Sequence, residues 1–237
     1  MKKSDVECFY DEFSSQQIHA GINRRHQSID SWSRKFGLRD SHNVLEIGCG
    51  IGTQTELLSN RVTKGQIDSF DISSNSIDIA KKRLSKRNNI AFTVGDITKA
   101  KLKTNFYDFI LLPDVLEHIP IKDHDKLFEK ISLAAKTQAK ILIHIPDPYH
   151  NQWVSIHRPE LQQIIDQNLF MPLIVNPIYD AGLCIEYLET YDLHTNDGDY
   201  QVILLRKVRD KLYNPLIRSK SPMAKLIWKL KSFLHVA

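Results

Sequence analysis

Asp114, Glu117 and His118 are the residues whose types and spacing most plainly suit proton or metal chemistry. On the first turn of a helix, positions three and four apart share a face, so two carboxylates and an imidazole can converge there. Such a trio can hold Mg²⁺, Mn²⁺ or Zn²⁺. In a metal-free site His118 is instead a base for a hydroxyl acceptor, or a positioning residue, with Asp114 beside it. A second polar cluster runs from Asp147 to Trp153 and offers Tyr149 and His150 as further catalytic candidates. Pro146 and Pro148 read as fixing this segment in a loop whose aromatic surface suits a sugar or ring. His144, inside the apolar run Ile141-Leu142-Ile143-His144-Ile145, reads as a hydrogen-bonded core residue.

These side chains need a reagent held beside them, and residues 43–54 supply its seat. The apolar run Val44-Leu45-Glu46-Ile47 leads into Gly48, Gly50 and Gly52, and residues 53–58 are helix-like. Strand, tight turn and helix open a βαβ unit whose glycines let a ligand touch the backbone. Later in the chain, Gln66-Ile67-Asp68-Ser69-Phe70-Asp71 reads as a second strand ending in an acid, placed to bond ribose hydroxyls. Dinucleotides and S-adenosylmethionine both fit such a unit. The spacing is G-x-G-x-G, whereas the dinucleotide fingerprint is G-x-G-x-x-G. Glu46 beside the loop repels a pyrophosphate and suits a ligand bearing a sulfonium and an ammonium.

With these motifs, residues 44–145 resemble the class I S-adenosylmethionine-dependent methyltransferases. Glu46-x-Gly48-x-Gly50-x-Gly52 is similar to their first motif, with Cys49 inside it. Asp71, followed by Ile72, is similar to the ribose-binding acid. Val94-Gly95-Asp96-Ile97 resembles the element where the Asp meets the adenine amino group and the next residue packs on the ring. Residues 106–118 resemble the fourth strand and the segment after it, which brings Pro113 to the cofactor. The resemblance implies a Rossmann-like sheet of order 3-2-1-4-5-7-6, strand seven antiparallel, with helices on both faces. It also implies N-terminal helices that cover the cofactor, where Tyr10 and Phe13 are lid candidates. Segments similar to Asp114-x-x-Glu117-His118, with Glu first, bind metal in small-RNA 2′-O-methyltransferases and ubiquinone-type O-methyltransferases. The shorter Asp114 reduces that reach, and a divalent metal is the secondary reading.

The remaining chain supports an α/β enzyme. Its 237 residues can hold one such domain with a substantial core. Cys8, Cys49 and Cys184 are widely spaced and odd in number, so neither a disulfide framework nor a zinc cluster is indicated. A reducing cytoplasm is the simplest setting. Lys2-Lys3 is followed by Ser4-Asp5-Val6-Glu7, which is not the apolar region of a signal peptide. Helical spacing over 5–36 is ended by Gly37, and Arg24, Arg25 and His26 read as a solvated patch. The expected helices then lie at 73–86, 123–136 and 158–168. The expected strands lie at 90–94, 106–112, 140–145, 183–188 and 201–205. The expected division is a helical lid at 1–40, a cofactor-binding domain at 41–206 and a basic extension at 207–237.

The net charge of +4 is unevenly distributed: nine Lys or Arg against Asp210 follow Leu204, which leaves the preceding body mildly acidic. That disfavours a nucleic-acid partner and the metal-assisted RNA reading. In the extension, Met223, Leu226, Ile227, Leu230 and Leu234 fall on one helical stripe with lysines opposite. Such a face suits the inner surface of a membrane, a partner or its own domain. The reading is therefore methyl transfer, to a hydroxyl of a small molecule, sugar or lipid-linked intermediate. The non-enzymatic alternative is a cofactor-binding adaptor. Oligomeric state is not indicated.

Overall fold

The computed structural model describes residues 21–208. After α1 (Arg24–Lys35), the chain alternates through β1 (Val44–Ile47), α2 (Thr53–Arg61), β2 (Ile67–Asp71), α3 (Ser74–Arg83) and β3 (Ile90–Val94). It continues through β4 (Tyr107–Pro113), α4 (His124–Ala134), β5 (Ala135–Pro146), α5 (Pro148–His157), α6 (Met171–Asp180), β6 (Leu183–Tyr191) and β7 (Tyr200–Lys207). The strands form one sheet in the order β3-β2-β1-β4-β5-β7-β6. β1 to β5 are parallel, and β7 pairs antiparallel with both β5 and β6. This is the Rossmann-like order that the family resemblance implies.

The period-two alternation of strands divides the core into two layers. Ile110 and Leu112 of β4, with Ile141 and Ile143 of β5, face Leu127, Phe128 and Ile131 of α4 and Ile174 and Ile178 of α6. Phe109 and Leu111, with Val44 and Leu142, pack on the opposite side with Ile29 of α1 and Leu58 of α2. Each such side chain contributes roughly 1.5–3 kcal/mol when fully buried. All four residues of β1 are buried, as a strand covered on both faces requires.

Local signals place the helix starts. Asn23 caps α1 by accepting from the amides of Arg25 and His26, and the His26 ring accepts from the Asn23 amide in return. Ser73 caps α3 by accepting from the Ser76 amide at 3.0 Å.

Two expectations fail after β5. The stretch read as a proline-fixed loop contains α5, because Asp147 accepts from the amides of Tyr149 and His150 and Pro148 occupies the first turn. The expected helix at 158–168 is only a 3₁₀ turn, Pro159–Leu161, and the helix lies further on at α6, outside the expected helices. Pro172 and Pro177 mask α6, although it still buries Ile174 and Ile178 on one face. No helix among the described residues is long and apolar enough to cross a membrane. Tyr10, Phe13 and the basic extension beyond residue 208 lie outside the described residues.

Candidate active site

One cleft lies beyond the carboxyl ends of the central strands, where ligands bind in open α/β sheets. Its cofactor end is built from backbone. Gly48 has φ +79°, and a Cβ there would lie 2.6 Å from a Val115 methyl. The amides of Gly48 and Cys49 donate to the Phe70 carbonyl at 2.8 and 3.0 Å, which ties the turn to β2. Asp71 strengthens the tie. Its Oδ2 accepts from the Gly50 amide at 2.7 Å and its Oδ1 from the Ser73 amide at 2.9 Å.

Asp96 lies on the same wall, accepting at Oδ1 from the amide and hydroxyl of Thr98 at 3.0 and 2.6 Å. Burial opposes its ionisation, but bonds from Thr98 and Lys99 outweigh that and hold it below the usual carboxylate range. Glu46 lies behind the turn and does not line the cleft. Its Oε2 accepts from Thr55 at 2.6 Å and Ser69 at 2.8 Å, while its Oε1 has no hydrogen-bond partner among the described residues. Burial pushes its pKa up to about 7, against the lowering effect of the two hydroxyls.

The acceptor end is built from side chains. Asp114 follows β4 with φ +51°, a left-handed conformation that costs a non-glycine residue about 1 kcal/mol. His144 clasps it there. The Asp114 amide donates to the His144 carbonyl at 2.8 Å, and the His144 ring bonds Asp114 Oδ1 at 2.5 Å. His144 Nε2 lies 2.6 Å from the Tyr191 hydroxyl, which lies 2.7 Å from the Ser28 hydroxyl of α1. Arg25, also on α1, places Nε 3.0 Å from Asp114 Oδ2. Asp114's charge raises the Arg25 pKa. Burial opposes ionisation of Asp114, but His144 and Arg25 overcome it and lower its pKa.

Glu117 and His118 sit on a 3₁₀ turn, Leu116–His118. Burial and the charge of Asp114 push the Glu117 pKa well up. The His118 ring bonds the Ile165 carbonyl through Nδ1 at 2.5 Å, so Nδ1 carries the proton and Nε2 is the basic nitrogen. Burial lowers the His118 pKa and keeps the ring neutral.

Gly48, Cys49, Gly50, Asp71, Ile72, Asp96, Ile97, Pro113, Asp114 and His118 all line the cleft, as expected from sequence. Gly52 does not; it caps α2 in a left-handed conformation. Tyr149 and His150 are not brought to the cleft. They ride on α5, where Tyr149 is 72% exposed and packs against Phe170, and His150 stacks near Trp153. The expected convergence of Asp114, Glu117 and His118 also fails. The segment is a strand end and a 3₁₀ turn, and Asp114 is drawn to Arg25 and His144. Among the described residues no trio of His, Cys, Asp or Glu is placed to hold a metal ion. Sequence reasoning missed Asn23, Arg25, His26, Gln54 and Gln163, which also line the cleft. The capping pattern at Asn23 and His26 was the available signal that this patch is structured.

Comparison with known proteins bears on the whole arrangement. A family profile described as a methyltransferase domain matches residues 44–138. The chain is 29% identical over 106 residues to phosphoethanolamine N-methyltransferase of Plasmodium falciparum, covering 45% of this chain and 40% of that protein. It is 31% identical over 102 residues to malonyl-[acyl-carrier protein] O-methyltransferase of Bacillus anthracis, covering 43% and 36%. Residues 44–138 thus match a methyltransferase domain, and their motifs are similar to those of the class I S-adenosylmethionine-dependent methyltransferases. In fold it is similar to magnesium protoporphyrin IX methyltransferase of Synechocystis, crystallised with bound SAH. That likeness has a TM-score of 0.68 at 17% identity, over 87% of this chain and 100% of that one. The chain spans well under two thirds of the length of these curated relatives. S-adenosylmethionine is the family's cofactor, and the cleft fits it. Asp71 and Asp96 line it, Glu46 lies behind it, and the glycine turn exposes backbone where a side chain would block approach.

Proposed function

We propose that this protein transfers a methyl group from S-adenosylmethionine to a hydroxyl of a small molecule, sugar or lipid-linked acceptor, with His118 taking the proton. The cofactor, when bound, supplies an activated methyl group on a sulfonium, so the protein's work is alignment, desolvation and proton removal. One observation carries the reading. His118 lines the same cleft as the glycine turn and Asp71, and its bond to the Ile165 carbonyl fixes the tautomer with a basic Nε2.

Each part of the chain then has a task. Asp71 and Asp96 hold the nucleoside. Asp114, clasped by His144 and Arg25, gives the acceptor end a fixed polar wall. Burial and Asp114 disfavour ionisation of Glu117, and burial lowers the His118 pKa, which favours the neutral ring that can accept a proton. Ile119 and Val115 make the wall between the two ends apolar, which helps to exclude water.

The test is mass spectrometry of a native extract incubated with the protein and deuteromethyl-labelled cofactor. A labelled hydroxyl compound is the expected outcome. A label on nitrogen or carbon would replace the hydroxyl assignment, and SAH binding without any labelled product would favour the adaptor alternative.

A further inference from the structure

His118 takes its tautomer from the Ile165 carbonyl, 2.5 Å from Nδ1. That carbonyl belongs to a strap, residues 162–168, which is neither helix nor strand and runs between the 3₁₀ turn Pro159–Leu161 and α6. Backbone without a ladder or a helix is held in place by the bonds it makes elsewhere. The strap also borders the cleft, through Gln163.

The two residues after Ile165 supply those bonds. Gln167 clamps the strap to the turn that carries His118. Its Nε2 donates to the carbonyls of Glu117 and Ile119 at 3.0 and 2.7 Å, and its Oε1 accepts from the Ile121 amide at 3.2 Å. Its own amide donates to the Glu117 carbonyl at 3.1 Å. Asp166 ties the strap to α5 instead. Its Oδ1 accepts at 3.0 Å from Nδ2 of Asn151, which is buried and also reaches the Gln167 carbonyl at 3.4 Å. A neutral imidazole keeps its proton on the nitrogen that faces an acceptor. The rival acceptor for His118 is Glu117, whose Oε1 stands 3.7 Å from Nε2, too far for a hydrogen bond.

We infer that Asp166 and Gln167 are positioning residues for methyl transfer, holding the Ile165 carbonyl against His118 so that Nε2 stays unprotonated and ready to act as base. This rests on His118 being the base, and it adds what keeps the ring in the competent tautomer.

Long-range ¹H–¹⁵N NMR of the full chain at about pH 8, above the ordinary histidine pKa, reads which nitrogen carries the proton, and His118→Ala identifies the His118 signals. Wild type should show Nδ1 protonated. Asp166→Ala should lower the His118 tautomer ratio by about 2- to 10-fold, the range for one lost hydrogen bond, while the His144 signals and SAH affinity hold. Gln167→Glu, which loses the donor to two carbonyls, should shift His118 in the same direction. Asp166→Asn keeps an oxygen for Asn151 and should keep the wild-type ratio; a shift equal to that of Asp166→Ala would strike Asp166 from the role. An unchanged ratio in a folded Asp166→Ala or Gln167→Glu strikes that residue, and in both overturns the inference while His118 stands as base. Equal disturbance of His144 or of SAH binding marks general loosening and also overturns it. Should one variant fail to fold, the other decides. Wild-type protein protonated at Nε2 overturns the inference together with the reading of His118 as base.

Discussion

The two ends of the cleft are built in different ways. The cofactor end is a contiguous piece of chain, in which a buried strand, a glycine turn and a helix are tied by backbone amides to β2 and Asp71. The acceptor end is a side-chain assembly drawn from α1, the end of β4, β5 and β6, joined through Arg25, Asp114, His144, Tyr191 and Ser28. A backbone-built seat presents amides and carbonyls that most side-chain substitutions leave in place. A side-chain assembly can change its chemistry one residue at a time, and on the proposed function that is where acceptor choice would be made.

If the ends differ in this way, substitutions should separate them. Asp71→Ala removes the tie to Gly50 and Ser73 together with the expected grip on the ribose. Calorimetry should show SAH affinity lower by about 1,000-fold or more, for several lost bonds to a charged group. His118→Ala should lower turnover by about 10²- to 10⁴-fold, as expected for loss of a general base, while SAH affinity stays within about twofold. Because burial lowers the His118 pKa, the acid limb of the wild-type kcat/KM profile should lie below about 6.5, the ordinary histidine value. A limb above that value would remove His118 from the role of base.

Asp114→Ala leaves His144 and Arg25 without their shared carboxylate. Breaking a buried pair costs about 3 kcal/mol, so the melting temperature should fall by roughly 6 to 12 °C. SAH affinity should change far less than in Asp71→Ala. Glu46 couples the cofactor end to pH. Its carboxyl binds a proton more tightly folded than unfolded, so its contribution to stability is lost as pH rises from about 4.5 to about 7. Between pH 5 and 7.5, urea melts of wild type should lose about 2 kcal/mol relative to Glu46→Gln. Equal slopes for the two proteins would show that Glu46 does not titrate in this range. The smallest effect belongs to the double substitution Tyr149→Ala with His150→Ala, which should leave kcat/KM within about twofold because both residues stand away from the cleft. A larger loss would draw α5 into the acceptor end and blur the comparison.

The same contrast explains what could be read from the chain alone. The glycine turn and Asp71 follow from spacing within short windows, and the strand order and Asp96 from the family resemblance that these motifs carry. The acceptor network does not. Ser28 and Tyr191 are 163 residues apart, and Arg25 carries no local mark of the carboxylate it will meet. His144 is legible as a buried histidine, but its partner Asp114 is supplied by a neighbouring strand. The helices α5 and α6 were misread because proline at a helix start looks like proline in a loop. At Asp147-Pro148 the deciding signal was the acid before the proline, and at α6 it was the buried pair Ile174 and Ile178.

The reversed direction of β7 has its own consequence. Parallel strands present only their trailing ends to the ligand edge, so they reach it through the loops that follow. β7 arrives leading end first, setting Tyr200 opposite Pro146 and Val202 opposite His144. Tyr200 thereby stacks on His144 with no intervening loop. One strand laid against the grain brings a late stretch of the chain face to face with its early helix, and the two become neighbours across a single imidazole.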